Sequence, residues 1–96
     1  MRIVWDDKKR LANIRKHGID FIGVEELFSG HTLTLPDARF AYGENRFITF
    51  GLMSQRVVAV AHTEAHTTIR IISIRKARRH EQENYFQNSP FTDFRH

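Results

Sequence analysis

Three strand-like runs follow one another across two short connections: Arg46 to Leu52, Arg56 to His62 and Thr68 to Ile74. This succession limits the fold more tightly than any other stretch of the chain. The runs are rich in β-branched and aromatic residues, which fit a pleated, half-buried surface. The connections, Met53–Gln55 and Thr63–Thr67, are of hairpin length, so consecutive runs pair antiparallel. A chain of 96 residues has the length of one domain, and the rest of it must pack on that sheet.

Ahead of the sheet, residues 2–5 read as a short strand of Ile, Val and Trp. Asp6 and Asp7 offer an N-cap to a helix running to His17, with Leu11 and Ile14 on its inner face. Gly18 stands where a left-handed C-cap belongs, and Ile19 supplies the accompanying apolar contact. A second helix is predicted from Asp20 as N-cap to Gly30, with Phe21, Val24, Leu27 and Phe28 at helical spacing. His31 to Leu35 alternates until Pro36 and Asp37 interrupt it, and residues 37–45 form a polar loop. A last helix is predicted over Lys76 to Phe86. The polar and aromatic tail from Gln87, broken by Pro90, is expected to be loosely held. The order is that of an α+β domain over residues 1–86 with a tail over 87–96. Two or three helices cover one face of an antiparallel sheet, and the other face stays partly open to a ligand.

The absence of cysteine excludes disulfide frameworks, iron–sulfur ligation, zinc fingers and thiol nucleophiles together. Lys and Arg number 15 against 11 Asp and Glu, a net charge of +4. Most of the cations are Arg, whose planar fork pairs bidentately with phosphate. The charge is unevenly spread. Residues 46–79 hold seven cations and one anion, net +6, whereas residues 21–45 are net −3 and residues 80–96 net −2. Such a domain suits a nucleic-acid or acidic-protein partner. The longest purely apolar run, Val57 to Ala61, falls far short of the roughly 18 residues of a membrane span. Acid arrives at Asp6 before any signal-type apolar region. These features lead to the expectation of a cytoplasmic protein.

Two basic clusters differ in helix polarity. Arg15, Lys16 and His17 lie at a helix C-terminus, where the macrodipole favours cations. Arg75, Lys76, Arg78 and Arg79 fall at or before a helix N-terminus, where cations oppose the dipole unless an anion such as phosphate sits against them. By the two-residue period, Ile69, Ile71, Ser73 and Arg75 share one strand face, and Arg70, Ile72 and Ile74 the other. Arg70 and Arg75 therefore serve one site only if a bulge intervenes. Arg70 otherwise invites a pair with Asp6 or Glu64.

His62-Thr63-Glu64 matches the H-x-E element of zinc nucleobase deaminases, but that chemistry also needs cysteine ligands. His62 and His66 flank a hairpin and do not form a helical H-E-x-x-H site. No metal site is expected, and no nucleotide-cofactor fingerprint is present. What remains suits cleavage of RNA without a metal. That reaction needs a base for the 2′-hydroxyl, cations for the phosphorane charge and an acid for the leaving oxygen. His17, His62, His80, Glu64 and Glu81 are the acid–base candidates, and Arg70, Arg75 and Lys76 the charge-stabilising ones.

Two blocks together resemble a known family. The opening block is Trp5-Asp6-x-x-Lys9-x-x-x-Asn13-x-x-Lys16-His17-Gly18-Ile19-x-Phe21. The closing block is Arg70-Ile71-Ile72-Ser73-x-Arg75-x-Ala77, followed by Glu81 and Tyr85. Both are similar to the signatures of BrnT-type toxins, within the RelE-like ribonuclease superfamily. The resemblance implies a RelE-like α+β fold. It also implies an endoribonuclease toxin that arrests growth by cutting RNA, with no cofactor. The implied partner is a ribbon–helix–helix antitoxin of the BrnA type, in a heterotetramer of two toxins and two antitoxins that reaches DNA only through the antitoxin. Residue by residue, the closing block implies site roles for Arg70, Ser73, Arg75 and Glu81, and the opening block for Lys16 and His17. With the acid–base candidates, the expected catalytic set is Arg75, Ser73, Glu64, His62, His17 and Glu81. The expected RNA contacts are Arg70, Lys76, Arg78, Arg79 and Lys16. A non-catalytic basic module docking RNA or an acidic protein is the alternative.

Overall fold

Ile3 and Trp5 share one face of the N-terminal strand and need it covered, and this decides where the N-terminus goes. A computed structural model of the chain describes residues 1–37 and 45–88. Among these, the chain forms β1 (Arg2–Trp5), α1 (Asp7–His17), α2 (Glu25–Ser29), β2 (Leu33–Pro36), β3 (Arg46–Met53), β4 (Arg56–Ala65), β5 (Thr68–Lys76) and α3 (Arg79–Gln87). The strands make one sheet in the order β1-β5-β4-β3-β2. β1 runs parallel to β5, and the remaining pairs are antiparallel.

The β3–β4 connection is a two-residue turn in which Ser54 (φ 51) and Gln55 (φ 64) are both left-handed. Two positive φ values give a turn whose twist matches that of the flanking strands. The pairing continues from Met53↔Arg56 to Arg46↔Thr63 without interruption. β4 and β5 pair from Ala65↔Thr68, but the register shifts between Ala61 and His62. His62 faces Ile71 while Ala61 faces Ser73, so Ile72 is an extra residue on β5. This bulge inverts the parity of the second half of the strand.

The sheet carries a core on each face. Phe21, Val24 and Leu27 pack with Val58, Val60, Ile69, Ile71 and Ile74 on one face, with Ile3 and Trp5 against them. Phe50, Val57, Ala59, Ala77 and Tyr85 form the core of the other face. Of the two or three helices expected on one face, two lie there. α1 and α2 belong to the first layer, whereas α3 brings Tyr85 to the second.

Three local expectations also change. Leu11 is 47% exposed, and the inward position on α1 belongs to Asn13, 5% exposed. Its side-chain amide donates to the carbonyls of Ile19 and Ile74 (both 2.9 Å), and its oxygen accepts from the Ile74 N–H (3.0 Å). Three buried hydrogen bonds outweigh the burial of one leucine at this seam. The second helix is only five residues long. Asp20 Oδ1 accepts from the Ile22 amide at 2.9 Å, and Gly23 takes φ 98, so residues 21–24 turn instead of winding. The apolar spacing still buries Phe21, Val24 and Leu27. The last helix starts at Arg79 and not at Lys76, because the chain stays with the sheet until the Ala77 amide bonds the Val57 carbonyl (3.1 Å). Gly18, by contrast, caps α1 in the expected left-handed conformation, its amide bonding the Ile14 carbonyl. Of the expected polar loop and tail, residues 38–44 and 89–96 lie outside the described residues.

Candidate nucleic-acid interface

The bulge decides which cations meet. Ile69, Ile71 and Ile74 all lie in the first core. Arg70, before the bulge, and Arg75, after it, consequently project from the opposite face, together with Ser73. Register extends this into rows. Val4, Arg70, Thr63 and Arg46 are successive cross-strand partners across β1, β5, β4 and β3. Ser73, Ala61 and Ile48 form the next row, and Arg75, Ala59 and Phe50 the one after. α3 covers the last row through Tyr85. The first row opens into a groove of about 490 Å³ that Arg46, Thr63 and Arg70 line together with Asp6, Asp7 and Lys9. A second cleft of about 540 Å³ adjoins it and shares Thr63 and Arg70, with Asn45, Glu64, His66 and Thr68 completing it. Among the described residues no carboxylate comes within ion-pair distance of the exposed Arg70, so neither Asp6 nor Glu64 neutralises it.

Arg75 is held differently. Its Nη1 and Nη2 donate to Glu81 Oε1 and Oε2 at 2.8 and 2.9 Å, a bidentate fork. The Arg78 amide donates to the same Oε1 at 2.7 Å. The fork and this amide hold the Glu81 carboxyl at a pKa of about 2, against the opposing effect of burial. Glu81 is the third residue of α3, where a carboxylate satisfies the free N–H at the helix start. The anion that the Arg75, Lys76, Arg78 and Arg79 cluster asks for is thus supplied, at least in part, by the chain itself. Arg79 adds a pair to Glu83 at 3.4 Å on the helix surface. Lys76 ends β5, exposed.

The remaining expected site residues are dispersed. His62 is fully buried on the first face. It is stacked on Phe47 and meets Phe28 edge-on. Its Nε2 lies 2.6 Å from Thr49 Oγ1, which in turn lies 2.8 Å from Thr34 Oγ1. Burial lowers its pKa and favours the neutral ring, with nearby Glu64 opposing. Its Nδ1 is 3.9 Å from Glu64 Oε1. Glu64 itself is half exposed and lines the second cleft. Lys16 and His17 are exposed in the last turn of α1 and line neither groove. Arg78 is the N-cap of α3.

The structure therefore brings together Arg70, Ser73, Arg75 and Glu81 on one face, with Glu64 at its edge, and leaves His62, His17 and Lys16 elsewhere. Sequence reasoning missed Arg46 and Thr63 as neighbours of Arg70, whereas His66, which follows Thr63-Glu64 where the resembled family often has Arg, was open to it as a substitute basic contact. The hairpin register would have found the first two, since fixing the β3–β4 and β4–β5 turns places them beside Arg70.

A five-stranded, mostly antiparallel sheet with N-terminal helices and a C-terminal helix is consistent with the RelE-like fold, and its guanidinium-bearing face marks a small domain suited to a polyanion. The family model for the ribonuclease toxin, BrnT, of type II toxin–antitoxin systems matches residues 5–81, and the chain belongs to that family. No curated protein matches the chain. Membership makes RNA cleavage its activity and a cognate antitoxin its partner. No helix among the described residues is long and apolar enough to cross a membrane.

Proposed function

We propose that the chain is a metal-independent endoribonuclease that arrests growth in the cytoplasm, with residues 1–86 as its working domain. It cuts RNA by attack of a 2′-hydroxyl on the adjacent phosphate. The observation that carries this reading is the β5 bulge, which gives Arg70 and Arg75 a common face with Ser73. Arg70, with Arg46 two strands away, tracks the RNA backbone along the groove. Arg75, oriented by Glu81, contributes positive charge where the phosphorane develops, the electrostatic effect that is often the largest in such reactions. Ser73 is placed to hydrogen-bond a phosphate oxygen. Arg78 and Arg79 extend the basic track past the strand end, whereas Lys76, paired with Val58, projects from the first-core face. His62 and His17 stay outside the reacting set, because the first is enclosed in the opposite core and the second belongs to α1. Glu81 is an orienting residue, since an ionised, doubly paired carboxylate has no proton to give near neutrality.

The antitoxin we propose is of the BrnA ribbon–helix–helix type, bound in an assembly of two toxins and two antitoxins, with DNA contacted through the antitoxin alone. Purified protein, freed of its partner, is expected to cut naked RNA in the presence of EDTA and to leave 2′,3′-cyclic phosphate ends. Intact RNA, together with undiminished growth on expression, would refute the reading.

A further inference from the structure

We propose that His66 is the proton-transferring histidine of this ribonuclease, an assignment that rests on the endoribonuclease reading above. Cleavage through the 2′-hydroxyl needs a group that exchanges a proton near neutral pH, and histidine is the side chain whose ordinary titration falls there. Of the histidines among the described residues, His62 is sealed in the first core. His31 packs its ring on Tyr85 beneath α3, with its Nε2 buried. His17 ends α1, and His80 lies in the first turn of α3. Neither of these lines a cleft that Arg70 lines. His66 does: it shares the second cleft with Arg70, Thr63 and Glu64. The charged groups facing it there are Glu64 and Arg70, and Met1 lies across a smaller adjoining cleft.

His66 is the first of the two loop residues between β4 and β5, with φ 57, a left-handed turn conformation like that of Ser54 and Gln55, which histidine adopts more readily than most side chains.

In the reaction, the neutral imidazole accepts the proton of the 2′-hydroxyl. The 2′-oxygen forms a bond to phosphorus, and the P–O5′ bond breaks with its electron pair on the 5′-oxygen. Water protonates that oxygen, and the imidazolium returns its proton to solvent. The products are a 2′,3′-cyclic phosphate and a 5′-hydroxyl, with no net proton gained or lost. Arg70 holds the phosphate within the same cleft.

The test compares wild type, His66→Gly and His66→Asn on naked RNA with EDTA, following kcat, KM and the pH–rate profile, with urea unfolding alongside. Glycine and asparagine both adopt the left-handed conformation of this position, so both variants are expected to fold, and His66→Gly to unfold no more easily than wild type. Both are expected to lose kcat by roughly 100-fold or more, as for a lost general base. KM is expected to change little, and the acidic limb of the pH–rate profile to disappear. Wild-type cleavage with kcat and the acidic limb retained in both variants would overturn the assignment and leave the endoribonuclease reading standing. Failure of the wild type to cleave at all would overturn both.

Discussion

At Glu81 a single carboxylate receives the Arg75 fork and the Arg78 amide, and so ties the end of β5 to the start of α3. Its depressed pKa makes this tie dependent on pH in a definite direction. The stabilisation is fully present above the ordinary value of 4.5 and is lost as pH falls towards about 2. A shift of that size corresponds to about 3 kcal/mol. Glu81→Gln is expected to lower unfolding free energy by about 2–3 kcal/mol at pH 7. The gap between variant and wild type should close as the pH is lowered from 4.5 to 2.5 in urea titrations; a gap constant with pH would show that the carboxylate's ionisation is not what stabilises the tie. Arg75→Ala follows from the same geometry. It strips Glu81 of its fork, so a loss of toxicity in that variant speaks to function only if its unfolding curve stays close to wild type. His62 shows what residue chemistry alone leaves open. The H-x-E pattern and the buried, neutral ring are equally histidine in sequence, and only the packing of Phe28 and Phe47 about it distinguishes a core residue from a reactive one.

At the scale of elements, the strands and α1 were legible, and the bounds of α2 and α3 were not. Alternation, β-branched content and short turns locate β3, β4 and β5, because strand pairing follows from local pattern. The α2 boundary depends instead on Gly23 and the Asp20 turn, where a helical spacing of apolar residues is satisfied by four turn residues and a short helix. The same applies to α3, whose start waits on the Ala77–Val57 sheet bond. The bulge at Ile72 left no mark in the sequence. Both parities of Ile69 to Arg75 are apolar enough to be buried, so only the pairing with Ala61 and His62 selects one. The candidate site was half readable for this reason: Arg70 and Arg75 could be named, but whether they share a face turned on one extra residue. Asn13 carries the corresponding lesson for helix docking. It was visible as part of the opening block, but its work is structural, bonding α1 to Ile74. Asn13→Ala is expected to destabilise by about 2–4 kcal/mol, since it strands buried backbone groups. Denaturant unfolding measures this, and a loss below about 0.5 kcal/mol would mean that water or a shifted helix satisfies those groups instead.

The whole molecule divides its charge by face and by chain segment. The net +4 conceals a sheet end where Arg46 and Arg70 line one groove, with Asp6 and Asp7 on its opposite lip. Affinity for single-stranded RNA should fall as salt rises, with a slope of about −0.7 per neutralised phosphate. Arg70→Ala is expected to weaken binding and to reduce the slope by roughly one phosphate's worth, read by fluorescence anisotropy at several salt concentrations. An unchanged slope would remove Arg70 from the RNA path. The parallel edge has a different consequence, one of timing. Among the described residues β1 pairs with β5 alone, and α1 is bonded to Ile74 by Asn13 across 61 positions of the chain. During synthesis the N-terminal strand and helix therefore emerge long before the surface they bury against. β5, which carries Arg70, Ser73 and Arg75, is the strand that joins β1 to the rest of the sheet. A partly made chain thus has neither its parallel edge nor the face that Arg70, Ser73 and Arg75 share until β5 is out.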